Sequence, residues 1–121
     1  MFKFAIPVLH VSSAAVAEEF YCKRLGFTRV FAYRLNDHMP DPCYMGLARD
    51  DVEIHVSSFS GDGVAGGVVF IGVEDVDQLH KELQANGVRI DLEPTDQSWG
   101  NREMYVADPD RNSIRFVHRG E

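Results

Sequence analysis

The chain has 121 residues, 45% of them hydrophobic, and a net charge of -7. That size and composition fit one folded domain, 1–121, with a buried core, and they exclude a globally disordered chain. The acidic balance argues against a nucleic-acid partner, whose phosphates require clustered Lys and Arg, and is suited to a cavity for a cationic ligand.

No apolar run reaches the roughly 20 residues of a membrane span, and no basic-then-apolar leader opens the chain. Neither membrane nor secretion is expected. Cys22 and Cys43 have no metal-type spacing and make no disulfide framework, so a reducing cytoplasm is the expected compartment.

The first strand is expected from Phe4 to Leu9 or His10. Alternation sets Phe4, Ile6, Val8 and His10 on one face. Pro7 lacks an N–H, so this strand is expected at a sheet edge or only partly paired. Ser12 or Ser13 caps a helix that runs to about Leu25, with Val16, Phe20 and Leu25 toward the core and Gly26 at its C′ position. Phe27 to Arg34 reads as strand two. Asn36 to Pro42 is a loop rich in turn formers. Tyr44 to Ala48 is strand three, and Arg49–Asp50–Asp51 turns into strand four, Val52 to Ser57. On strand four Glu53, His55 and Ser57 share one face and Val52, Ile54 and Val56 the other.

The segment Ser58 to Gly67 reads as a flexible joint. Strand five spans Val68 to Val73. Asp75 is the expected N-cap of a second helix, with Gln78 completing a capping box and Val76, Leu79 and Leu83 as its buried stripe. Strand six is expected at Val88 to Leu92, followed by a loop from Glu93 to Asn101 that holds the only tryptophan, Trp99. Strands seven, Glu103 to Ala107, and eight, Ser113 to His118, are joined by the reverse turn Asp108 to Asn112.

The order is βαβββ twice. Phe4–Gly26 is echoed by Val68–Gly87, and Val11 matches Val73 at an offset of 62 residues. A repeat of half the chain means one module used twice, about 1–60 and 66–121, with the site expected where the modules face each other. The expected fold class is α+β: two βαβββ modules whose eight strands form an open, barrel-like cleft with the helices outside. Glu53, His55 and Arg115 lie on the strand faces away from the helices.

The segments HVSSAAVAEEFYCKRLGF at 10–27, VEIHVSSF at 52–59, FIGVEDVDQLHKELQANGV at 70–88 and WGNREMYVADPDRNSIRF at 99–116 carry a resemblance over nearly the whole chain. It is to the vicinal-oxygen-chelate superfamily, which includes glyoxalase I, extradiol dioxygenases and bleomycin-resistance proteins. The pattern is most similar to the bleomycin-resistance proteins. Metal-dependent members resembling glyoxalase I hold one ligand on each of strands one, four, five and eight. Those positions fall here on Ile6, Glu53, Val68 and Arg115, and the 62-residue offset relates them as two pairs. Isoleucine and valine hold no metal and arginine repels one. A resident metal or other cofactor is therefore not expected, and Glu53 and Arg115 are instead expected to meet as an ion pair across the cleft.

By the same resemblance, the Trp99–Gly100 loop lines a drug groove, where flat rings stack on the indole and a cation meets its face. His55 stands beside Glu53 on the cleft face, and His10 caps the cleft end of strand one. His38, His80 and His118 read as surface residues, and Asp108 and Asp110 as turn-makers. Phe31, Tyr33 and Tyr44 add aromatic surface.

The resemblance thus implies a homodimeric protein that sequesters a small organic molecule, a drug or metabolite, without catalysis. Glu53, His55, Trp99 and Arg115 are the expected ligand contacts, with no catalytic or metal residue. The competing reading is a metal-dependent glyoxalase- or dioxygenase-type enzyme using a displaced site.

Overall fold

The structure, a computed structural model, describes residues 1–120. Strands β1 (Val8–His10), β2 (Thr28–Arg34), β3 (Cys43–Arg49) and β4 (Val52–Ser57) form one four-stranded sheet in the order β1-β4-β3-β2. Strands β5 (Val68–Gly72), β6 (Ile90–Asp96), β7 (Asn101–Ala107) and β8 (Ser113–Arg119) form a second, in the order β5-β8-β7-β6. In each sheet the first and last strands of the module pair in parallel and the remaining ladders are antiparallel. The architecture is α+β with two mixed sheets and no closed barrel, and each sheet is drawn from one half of the chain.

Helix α1 (Ala14–Glu18) continues into a π-helical stretch (Glu19–Arg24). Ser13 Oγ caps it by accepting from Val16 N. Its buried face is Ala14, Ala17, Phe20, Tyr21 and Leu25, while Val16 points outward at 47% exposure. Val16 thus departs from the expected stripe. The two alanines let the helix lie close on the sheet, and the wider π turn brings Phe20 and Tyr21 inward together. Helix α2 (Val76–Ala85) is capped by Asp75, whose Oδ1 accepts from Asp77 N and Gln78 N. Val76 and Leu83 are fully buried, and Leu79 packs against the same core.

Two other boundaries move. The first ladder begins only at Val8, so Phe4 stands 82% exposed outside it. Pro7 still accepts from His55 N at its carbonyl, and β1 is an edge strand. Strand β6 runs on to Asp96 through Pro94. It is the edge of its sheet, where a missing N–H is tolerated, and shifts of register absorb the irregularity. Cys22 and Cys43 are free thiols.

A buried polar knot ties the halves together. Asn112 Oδ1 accepts from Gly66 N (3.0 Å) and Gly67 N (2.9 Å), and its Nδ2 donates to His10 O (2.9 Å) and Asp108 Oδ2 (2.8 Å). An amide side chain has two donors and two acceptor sites, and all are used, which also fixes its orientation. Asp108 Oδ2 takes a further bond from the Tyr21 hydroxyl at 2.8 Å, and Asp108 Oδ1 accepts from Asp110 N and Asn112 N. Burial and the Asp108 charge push the Tyr21 phenol far above its ordinary value, so it acts only as a donor. A second tie is the two-pronged Arg49–Glu82 pair, at 2.8 and 2.9 Å, in which Arg49 also donates to Leu25 O. Tyr21→Phe should keep the fold and lower the unfolding free energy by about 1–3 kcal/mol, the cost of a buried hydrogen bond to a charged group. Urea unfolding followed by circular dichroism checks this, and an unchanged midpoint would remove the knot's role.

Candidate functional site

With the helix-side faces of both sheets in the core, the opposite faces stand open. On the first sheet the register sets Val8 beside His55, His55 beside Gly46 and Tyr44 beside Ser57. Glu53 Oε2 lies 2.7 Å from His55 Nε2, and His55 Nδ1 lies 2.6 Å from the Tyr44 hydroxyl. A carboxylate only accepts, so Nε2 carries the proton toward Glu53 and Tyr44 donates to Nδ1. Burial, with help from Asp62 and Glu53, pushes the Tyr44 phenol up and keeps it a donor.

Around this relay lie aromatic rings. Phe31 meets His55 edge-on at 5.3 Å and stacks with Tyr44 at 6.1 Å. Gly46 makes that possible, because a Cβ there would overlap the Phe31 ring. Tyr33 stacks with Phe59, and with Tyr44, Ser60 and Asp62 these rings line a hollow of about 410 Å³.

The second open face is built around Glu103, a carboxylate only 1% exposed. Its Oε1 accepts from the Tyr105 hydroxyl (2.6 Å), and its Oε2 accepts from Trp99 Nε1 (2.9 Å) and Asn101 Nδ2 (3.4 Å). Burial alone would raise its pKa. The bonds from Tyr105, Trp99 and Asn101, with the nearby Arg115 charge, outweigh burial and hold the carboxyl below its ordinary range. Trp99 is thus tied by its N–H while its ring stays 63% exposed. Arg115 lies with its guanidinium carbon 4.5 Å from the Tyr105 ring centre and 5.7 Å from that of Phe70.

The four expected contacts therefore fall into two groups, Glu53 with His55 and Trp99 with Arg115, on different sheets. Among the described residues no Glu53–Arg115 ion pair forms. Each residue is held by its own module instead, Glu53 by His55 and Arg115 by the two rings. The repeat also pairs them differently from the sequence offset. Val11 N donates to Ser57 O and Val73 N to Val117 O, and Val8 pairs with His55 where Phe70 pairs with Arg115. Arg115 is therefore the repeat mate of His55, and Glu53 the mate of Ser113, because the second module is shorter between its parallel strands.

Where the modules do face each other within the chain there is a groove of about 580 Å³, with Leu25, Phe27 and Phe116 in its lining and Asp50, Asp51, Glu74 and Asp75 around it. None of the expected contacts lines it. Its one arginine, Arg49, is already satisfied by Glu82 and Leu25 O.

The residues at the superfamily's metal positions do not suit a metal. Ile6 and Val68 have no donor atom, and Arg115 is a cation whichever mate it is given. Among the described residues no three His, Cys, Asp or Glu side chains converge as a metal site requires. His80 and His118 are half-buried rather than at the surface, near Asp77, which Arg102 holds at 2.9 Å. His10 points to the first open face and is half-buried. Tyr105 and Glu103 were the contacts least visible in the sequence. Their signal was the i, i+2 alternation with Met104 and Val106, which places an acid on the open face of a strand.

A family model described as "Glyoxalase superfamily protein" matches residues 1–121. A bleomycin resistance protein of Geobacillus stearothermophilus is 31% identical, over 95% of this chain and 96% of its own length. Among solved structures, a bleomycin resistance determinant encoded on transposon Tn5 superposes with a TM-score of 0.78 at 22% identity, covering 98% of each chain. The bleomycin-binding protein of bleomycin-producing Streptomyces verticillus, complexed with copper(II)-bleomycin, gives 0.70 at 29% identity over 100% of both chains.

Glu103→Leu should free the indole. The alkyl side chain accepts nothing, so Trp99 Nε1 and the Tyr105 hydroxyl lose their acceptor, at about 1–3 kcal/mol for a buried group left unsatisfied. Trp99 emission should shift to the red and its anisotropy should fall. Because the native carboxyl titrates low, the Glu103 contribution to stability is complete above the ordinary glutamate value of 4.5 and is lost as pH falls through the lower native value. A stability profile of wild type against the Leu variant checks the sign. Identical acid limbs would contradict it.

Proposed function

The chain belongs to the glyoxalase superfamily, close to its bleomycin-resistance proteins, and from that premise we propose that it binds a small, flat organic molecule and sequesters it without making or breaking a bond. The observation that carries this reading is the pair of open sheet faces, each lined with exposed aromatic rings around a fixed charged or proton-bearing centre. Phe31, Tyr33, Phe70 and Trp99 are all more than one-third exposed. Rings held in this way present π faces for stacking, worth about 0.5–1.5 kcal/mol per pair beyond area burial. Apolar faces of this kind also favour a homodimer, in which the Glu53–His55 wall of one copy faces the Trp99–Arg115 wall of its partner. Such a cleft would bring the four expected contacts to one ligand. Bleomycin is the first ligand to try, on the strength of what the relatives bind.

Titration of the protein with bleomycin, followed by the fluorescence of its only tryptophan, should give saturable quenching at micromolar concentration or below with one or two ligands per dimer. Trp99→Ala should weaken binding by about 1 kcal/mol, roughly fivefold, and should also lower the melting temperature, since it removes a donor from the buried Glu103 carboxylate. No quenching, and no heat on mixing, would overturn the drug-binding assignment. Sedimentation equilibrium tests the dimer, and a monomer at micromolar concentration would break the two-wall cleft.

A further inference from the structure

Arg115 is the least compensated charge on either open face. Among the described residues its only hydrogen bond is from Nε to Ser113 Oγ, at 3.4 Å, and no carboxylate lies within 4.0 Å of it. The nearby acid is Glu103, but both of its oxygens are taken by the neutral donors of Tyr105, Trp99 and Asn101. Register explains why the two do not pair. Tyr105 is the cross-strand neighbour of Arg115 while Glu103 faces Val117. The guanidinium sits instead against the rings of Tyr105 and Phe70, which limit its motion and give it no counter-ion. Among the described residues the two terminal nitrogens keep four N–H donors without a partner, in the fork geometry that matches a carboxylate or related oxyanion.

Resting on the ligand-binding reading above, we propose that the second wall is an oxyanion subsite: the ligand is an aromatic carboxylate, or a like oxyanion on a flat ring, whose anionic group forks onto Arg115 while its ring lies against Phe70, Tyr105 and Trp99. The ligand selected here is thus anionic at this wall although the protein as a whole is strongly acidic. The overall charge acts at long range through screened solvent, whereas Arg115 acts at contact. The first wall offers no second cation, since its centre is His55 already bonded to Glu53. One anionic group is therefore taken at the second wall and none at the first.

The test is a set of three probes of one shape: naphthalene-2-carboxylate, its neutral carboxamide and its cationic carboxamidinium, each measured by isothermal titration calorimetry at physiological salt. The carboxylate should bind about tenfold more tightly than the amide, the difference expected for one charge-assisted fork, and the amidinium more weakly than both. Arg115→Gln should abolish the carboxylate's advantage, and Arg115→Lys should keep part of it. A carboxylate no tighter than the amide, or an advantage that survives in Arg115→Gln, overturns the subsite. Bleomycin titrated into the same samples separates the two readings. Bleomycin binding without a carboxylate preference overturns the oxyanion subsite alone, and binding of neither bleomycin nor any naphthalene overturns both.

Discussion

The fold depends on one side chain that is saturated with hydrogen bonds. Asn112 holds the linker backbone at Gly66 and Gly67, the end of β1 at His10 O, and the carboxylate that in turn holds Tyr21 of α1. Every partner is buried or part-buried, so each bond replaces a desolvation cost with a contact in a low-dielectric setting. The turn that carries Asp108 and Asn112 belongs to the second module, whereas His10 and Tyr21 belong to the first. A tight turn between β7 and β8 thereby fixes how the two halves sit, and Arg49–Glu82 fixes the other end.

That arrangement has a consequence for the site. Joining the modules through their helix-covered sides commits Leu9, Val11, Ile71, Phe116 and their neighbours to one core and leaves both opposite sheet faces unfilled. The two faces then diverge from a common plan. At the centre of the first, a proton-bearing His55 is overlain by a ring from β2, admitted by Gly46. At the centre of the second, the matching position is Arg115, and Tyr105 occupies the place that Gly46 leaves empty in the first module. A strand register shared by both modules thus presents an acid–imidazole–phenol relay on one wall and a ring-held cation on the other.

Much of this was legible in the sequence. Period-two alternation placed Glu53, His55 and Ser57 on one face because each strand residue points opposite to its neighbour, and the glycines and caps bounded both helices. What sequence could not register was contact geometry. Val16 looked apolar and was assigned inward, but a helix packed through Ala14 and Ala17 lies too close to the sheet for that face to include it. The offset of the repeat is not constant along the module, so arithmetic from Val11 and Val73 paired Arg115 with Glu53, whereas the hydrogen-bond register pairs it with His55. The role of Glu103 was hidden for another reason: its three donors come from a loop and a strand whose approach depends on Gly100, at a φ of 98° that side chains rarely adopt.

Net charge and local charge point in opposite directions here, and at contact distance the local one acts without the screening that weakens the other. Of the acids near the candidate site, Glu53 is engaged by His55 and Glu103 by three neutral donors, so neither neutralises Arg115 by contact. A carboxylate locked into hydrogen bonds with Trp99 and Tyr105 does something else: it fixes both rings, and Tyr105 in turn lies against the Arg115 guanidinium. The buried acid organises the aromatic surface, the aromatic surface holds the cation, and the cation is left with open donors. The second wall is therefore preorganised at the level of each side chain, which reduces the ordering cost that weakens binding at mobile surfaces, and on the proposed reading its selectivity would come from Arg115 rather than from the charge of the whole protein.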